Sequence, residues 1–223
     1  MLARPSVVLY RASVDQDFKE REKRDLVCNA LDAFDRLTLH APNSERELAQ
    51  ILRAFKCRFI RVWEIAADLL SRLAAKYEVA QQAFVTLLCD QKAEIRRRVL
   101  TPVAIGCVSK EFAARLIRLG LRDRSYEVRG FAAEAACEFE LTGLVPELQA
   151  ALIVEKHPRA RQCLEFAVAL LRDGYFLQRD NAKLTNVWVK RARGRGDISV
   201  PITDDDLNTG RLEAILEYAR SRP

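Results

Sequence analysis

An apolar residue followed by arginine recurs at constant phase along the chain: Ile60-Arg61, Ile95-Arg96, Val128-Arg129 and Ala160-Arg161. The arginines stand 35, 33 and 32 residues apart. In the last three copies an acid precedes the arginine by six positions, as Asp90, Asp123 and Glu155, whereas Phe55 holds that place before Arg61. A period of this length marks an array whose units are single supersecondary elements. Each buries its apolar face only against its neighbours.

The residues around the arginines say what the element is. After each comes a small and apolar helical run: Ile65-Ala66-Ala67 with Leu69-Leu70, Val99-Leu100 with Val103, Ala132-Ala133 with Ala135-Ala136, and Leu164 with Ala167-Val168 and Leu171. Between these runs lie second stripes at i, i+4 and i+7 or i+8: Ala80, Phe84 and Leu87; Phe112, Leu116 and Leu119; Leu144, Leu148 and Leu152. Both patterns are half-buried helices. The unit is therefore helix, short turn, helix. Upstream, Asp17 and Lys23 repeat the six-residue offset, and Leu26, Val27, Ala30, Leu31 and Phe34 follow. Residues 1–42 thus read as a degenerate terminal repeat. Ala41-Pro42-Asn43 breaks the chain and Ser44-x-x-Glu47 reads as a capping box. Pro102, inside a second helix, predicts a kink.

These residues resemble the HEAT repeat and its bacterial HEAT-like relatives. Asp90/Arg96 and Asp123/Arg129 match the family's acid-to-arginine spacing and Glu155/Arg161 is a variant of it; the resemblance covers roughly residues 43–173. Arg61 departs from it for want of an acid. The resemblance implies a mainly α fold, a HEAT-like α-α superhelix or solenoid. It also implies that the acid sits in the turn and that the arginine reaches a neighbouring repeat, forming a ladder. Helices packed about 8–10 Å apart are within reach of an arginine, and a bidentate carboxylate pair fixes their geometry.

Composition agrees. Gly (8) and Pro (7) are too scarce in 223 residues for an all-β chain rich in turns. The six cysteines are nowhere closer than 18 positions, which leaves no zinc spacing and suits small buried side chains in a reducing compartment. With no signal-like start and no apolar run of membrane-spanning length, the expectation is a cytoplasmic, bacterial protein.

The pattern stops at Asp173-Gly174, where glycine suits a helix C-cap. In 184–190 (LTNVWVK) and 198–202 (ISVPI) alternate residues are apolar, and the Gly-containing stretch 192–196 between them predicts a β-hairpin. Thr203-x-x-Asp206 reads as a capping box, and Leu212, Ile215, Leu216 and Ala219 mark a last helix. Residues 174–223 are expected to form a small β-hairpin plus helix that caps the solenoid's open end.

No residues assemble into recognisable chemistry. His40 and His157 border prolines in turns, read as surface positions, and lack partners for a triad or a metal site. There is no phosphate-binding loop, and Asp204-Asp205-Asp206 suits a helix dipole better than a cation. The expectation is no catalytic residue, no metal and no small-molecule cofactor. Two surfaces remain. Trp63, Asp68, Arg97 and Arg98 lie on second helices, the set that lines a solenoid's concave face, and Glu134, Glu138 and Glu165 add negative charge there. The other surface is the basic hairpin with Lys190, Arg191, Arg193 and Arg195, in a chain of net charge +6. A mixed-sign face suits a protein partner, with Trp63 as an aromatic anchor. The function expected is therefore a non-enzymatic protein-binding scaffold, adaptor or inhibitor; fold-level analogy adds regulatory or toxin-neutralising roles. The alternative is a nucleic-acid binder. Some bacterial DNA glycosylases for alkylated bases are built of HEAT-like repeats, with a basic concave face that carries aromatics and an acid.

Overall fold

The computed structural model describes residues 7–39, 45–104, 108–190 and 197–222. The chain is mainly helical, with a small antiparallel sheet near its C-terminus, and divides into two compact units, residues 2–120 and 121–223.

The first unit holds α1 (Val7–Asp17), α2 (Arg21–Leu39), α3 (Glu45–Lys56), α4 (Ile60–Ala74), α5 (Glu78–Leu87), α6 (Ala93–Ala104) and α7 (Lys110–Gly120). α3/α4 and α5/α6 are helical hairpins joined by short turns. α2 carries the helical run read at 26–34 and buries Val27, Ala30, Leu31 and Leu37. α1 has almost no amphipathic periodicity, so nothing in its sequence announces it; it docks through Tyr10 and Val14, with Phe18 buried just past its end. Pro102 stands in the last turn of α6, which ends at Ala104. The Ser44 capping box, the break at 41–43 and His40 lie outside the described residues.

One phenylalanine from each first helix meets the next. Phe55 of α3 lies edge-on to Phe84 of α5 at 6.4 Å, and Phe84 lies 6.0 Å from Phe112 of α7. All three are buried. Offset and edge contacts of this kind add to the burial of the rings themselves.

The second unit begins with α8 (Tyr126–Glu138), a 3-10 turn (Thr142–Leu144), α9 (Val145–Val154) and α10 (Pro158–Arg172). It continues with β1 (Tyr175–Asp180), β2 (Lys183–Lys190), β3 (Asp197–Pro201), α11 (Asp204–Asn208) and α12 (Leu212–Ser221). α8 and α10 pack through small residues. Gly130, Ala132, Ala133 and Ala136 are buried on one helix, Ala160 and Ala167 on the other. A Cβ at Gly130 would lie 3.4 Å from Cys163 Sγ and 3.7 Å from Ala160 Cα, ordinary contact distances, so the two helices lie close there. Gly174 takes a left-handed φ of 79° after α10, and its N–H donates to Leu170 O at 3.2 Å, closing that helix as expected.

The expected hairpin is present as β2–β3, and the sheet adds a third strand, in the order β1-β2-β3. β1 turns into β2 through Asn181-Ala182, with φ of 48° and 66°. A two-residue hairpin of type I′ needs positive φ at both positions, which normally calls for glycine at the second. Alanine there hid the turn from sequence reading. Val187, Val189, Ile202, Leu216 and Ala219 form a core between one sheet face and α12. On the other face, cross-strand partners Phe176 and Trp188 pack on Phe166 of α10 at 5.2 and 5.7 Å. Thr203 and Asp206 form the expected capping box at α11.

The phased acids and arginines have a shared job. The acid's carboxylate accepts the N–H two residues on: Asp90 from Lys92, Asp123 from Ser125, Glu155 from His157. The arginine then donates back to the acid's own carbonyl: Arg96 to Asp90 O at 2.8 Å, Arg129 to Asp123 O at 2.8 Å, Arg161 to Glu155 O at 2.9 Å. The motif thus closes the turn between two helices, satisfying carbonyls and amides that helix ends leave open. A rung between repeats is present at Arg129, whose Nε and Nη2 meet Glu155 Oε2 and Oε1 at 2.6 and 2.8 Å. That bond is the main reason the Glu155 carboxyl is held at about 2, well below the usual carboxylate range. In the first unit, Lys56 of α3 reaches Asp90 at 2.8 Å instead. Arg61, lacking an acid, is exposed and pairs loosely with Glu64 at 3.7 Å.

Candidate functional site

In the first unit, α4 and α6 bring the candidate residues to one neighbourhood but turn half of them inward. Arg98 is 3% exposed. Its Nη1 donates to Phe55 O at 3.1 Å and Cys57 O at 2.6 Å, its Nη2 meets Glu94, and its guanidinium lies 5.0 Å from the Trp63 ring centre. Where Arg61 has no acid to fold back upon, Arg98 from the next hairpin closes the α3/α4 turn. Asp68, 9% exposed, accepts from Arg72 Nε at 2.8 Å and faces Tyr10 of α1. Burial, with the Asp68 carboxylate beside it, pushes the Tyr10 hydroxyl up to about 12. Arg98 and Asp68 are therefore corrected from partner contacts to internal fasteners. Trp63 is half-buried under Arg98, and Arg97 stays at the surface.

In the second unit, Glu134 is exposed on α8 and accepts from the Cys163 thiol at 3.2 Å. Burial and that carboxylate push the Cys163 thiol up to about 12, so it is a poor nucleophile at neutral pH. Glu127 and Glu138 share the face of Glu134, at i, i+7 and i+11. Glu127, unlike Glu138, is not among the residues expected from sequence; the spacing alone could have revealed it. Glu165 of α10 is 3.9 Å from Arg161. Lys190 is half-buried: its Nζ donates to Cys137 O at 3.4 Å and lies 3.6 Å from Glu140, so it anchors the sheet on the end of α8. Beside it, Asp197 of β3 is pushed upward by burial and by Glu138 and Glu140. Arg191, Arg193 and Arg195 lie outside the described residues.

His157 is not a simple surface residue. Its ring stacks on Tyr126 at 3.4 Å and 9°, and its Nδ1 is buried without a hydrogen-bond partner among the described residues. Among the described residues, no three of His, Cys, Asp and Glu are placed to hold a metal ion, and no helix is long and apolar enough to cross a membrane. Compared with protein-family models, with curated proteins and with solved structures, the chain matches none of them.

Proposed function

We propose that this chain is a non-enzymatic protein-binding scaffold, an adaptor or inhibitor, that presents the exposed faces of its second helices to another protein. The observation that carries this reading is how the charges are divided. Arg96, Arg98 and Arg129 are bound to backbone carbonyls and Glu155. Glu64, Glu94, Glu127, Glu134 and Glu138 remain at the surface of the same helix set beside exposed Arg61, Arg97 and Arg161, so the exposed charge there is mixed in sign rather than uniformly positive. Carboxylates repel phosphates and favour complementary protein surfaces. The acid-to-arginine turns at Asp90/Arg96, Asp123/Arg129 and Glu155/Arg161 support kinship with HEAT-like repeat proteins. Five described cysteines without a disulfide suit a reducing, cytoplasmic setting.

Affinity capture from lysate, with and without nuclease, tests the reading. A protein retained after nuclease treatment is the expected outcome. Recovery of nucleic acid alone, released steeply by salt, would replace it with the nucleic-acid alternative.

A further inference from the structure

We infer that two copies of this chain pair through the outer face of α9, antiparallel about a two-fold axis, to form a weak dimer. Apart from Glu147 and Gln149, every residue of α9 is apolar, yet only Leu148 is buried. A helix that is apolar all round belongs in an interior. On the side opposite Leu148, Pro146, Ala150, Ile153 and Val154 follow one another at i, i+4, i+7 and i+8, and all four are exposed. Positions at that spacing form one stripe. Ile153 is 80% exposed, more than any other large apolar side chain among the described residues, and Val154 beside it is 72% exposed. A continuous apolar stripe of this kind marks a contact surface, whereas scattered single residues do not.

The charges around the stripe say what covers it. Glu147 stands in the first turn of α9, and Glu140 is exposed shortly before it. Lys156 and Arg159 are exposed just past the other end, where Glu155 is buried and already paired with Arg129. One end is therefore acidic and the other basic. Within one chain this placement suits the helix dipole. In an antiparallel pair it acts again, because each acidic end lies beside the basic end of the other copy. The face is then its own complement, as a two-fold interface requires. A parallel pair would set like charges together. Glu147 and Gln149 flank the stripe on its two sides and supply a polar rim. The ten residues of α9 span only about 15 Å. That is too short for an interface of standard size, so a dissociation constant on the order of 100 μM is expected. α9 is the first helix of its hairpin, so this contact is separate from the second-helix surface proposed above and stands or falls without it.

Sedimentation equilibrium of the chain, from about 10 μM to about 1 mM, should give a mass that rises from 25.4 kDa toward twice that value. Ile153→Gln with Val154→Gln should melt like the wild type, because both side chains are exposed, and should stay monomeric. Glu147→Lys should weaken pairing about tenfold, and adding Lys156→Glu with Arg159→Glu should restore it. Carbodiimide cross-linking in a mixture of isotopically light and heavy wild-type chains needs no substitution and should join Glu147 of one copy to Lys156 of the other. A monomer at every concentration overturns the inference and leaves the stripe to a different protein. Association that survives Ile153→Gln with Val154→Gln places the contact elsewhere and overturns it too. A charge exchange that fails to restore pairing, or bridges between copies that never join Glu147 to Lys156, rules out the antiparallel arrangement and the inference with it.

Discussion

Residues 2–120 join their hairpins with large side chains, and residues 121–223 with small ones. In the first unit the aromatic row Phe55–Phe84–Phe112 fills the space between successive first helices, and one buried arginine, Arg98, ties two hairpins through backbone carbonyls. In the second, Gly130, Ala133 and Ala160 let α8 and α10 approach closely, and the Arg129–Glu155 pair sets their separation. The same helical hairpin therefore tolerates two packing solutions. What recurs at Asp90/Arg96, Asp123/Arg129 and Glu155/Arg161, though not at Arg61, is the turn in which an acid accepts the N–H two residues on and an arginine returns to the acid's carbonyl. Turn geometry depends on backbone groups that every repeat shares, while the packing depends on side-chain volume, which each pair of helices can balance on its own.

The contrast can be broken most sharply at Phe84. Phe84→Ala should cost about 3–5 kcal/mol, because it removes the middle ring of the row. Trp63 and Trp188 lie one in each unit, so denaturant unfolding of single-tryptophan variants should show the loss at Trp63 and not at Trp188. Next comes the ion pair. Glu155→Gln leaves Arg129 facing a neutral amide in a buried site and should cost about 3 kcal/mol, now reported by Trp188. The pair also sets a pH dependence. The Glu155 carboxyl lies at about 2 in the folded chain against an ordinary value of 4.5. Its contribution should be complete above about pH 4.5 and fade as pH falls toward 2. In Glu155→Gln this part of the acid sensitivity should disappear.

Arg98→Met keeps much of the side-chain volume but leaves Phe55 O and Cys57 O without their donor. A loss of about 2 kcal/mol, measured at Trp63, is expected; an unchanged unfolding midpoint would show that the turn does not need it. Gly130 sharpens the small-residue half of the comparison. A Cβ there makes an ordinary contact at 3.4 Å, so Gly130→Ala should be neutral or stabilise by up to about 1 kcal/mol through helix propensity. Gly130→Leu should instead force α8 from α10 and lower the melting temperature. The smallest effect is expected at Asp197. Its carboxyl is pushed upward, so the protonated form suits the fold and stability is lost as pH rises through its folded value. Asp197→Asn should raise the melting temperature slightly at neutral pH and have no effect below pH 4.

The sequence by itself determined the helical hairpins, their phase and the change from helices to a small sheet after α10. Helical periodicity and the acid-to-arginine spacing are local patterns, and the interactions behind them span only a few residues. Thr203 and Asp206, and Gly174, were legible for the same reason. α1 and β1 were not. Helix α1 is placed by tertiary burial of Tyr10, Val14 and Phe18 rather than by a stripe, and the β1–β2 turn uses alanine where glycine is the usual signal. The candidate site divided along the same line. That Trp63, Asp68, Arg97 and Arg98 sit on second helices follows from periodicity. Which of them reaches solvent does not, because a long side chain can turn inward to a carbonyl 43 residues away, as Arg98 does to Phe55. Only the tertiary structure decides where such a chain finds its partner, and here it turned Arg98 inward while it left Arg97 and the carboxylates of α8 outside.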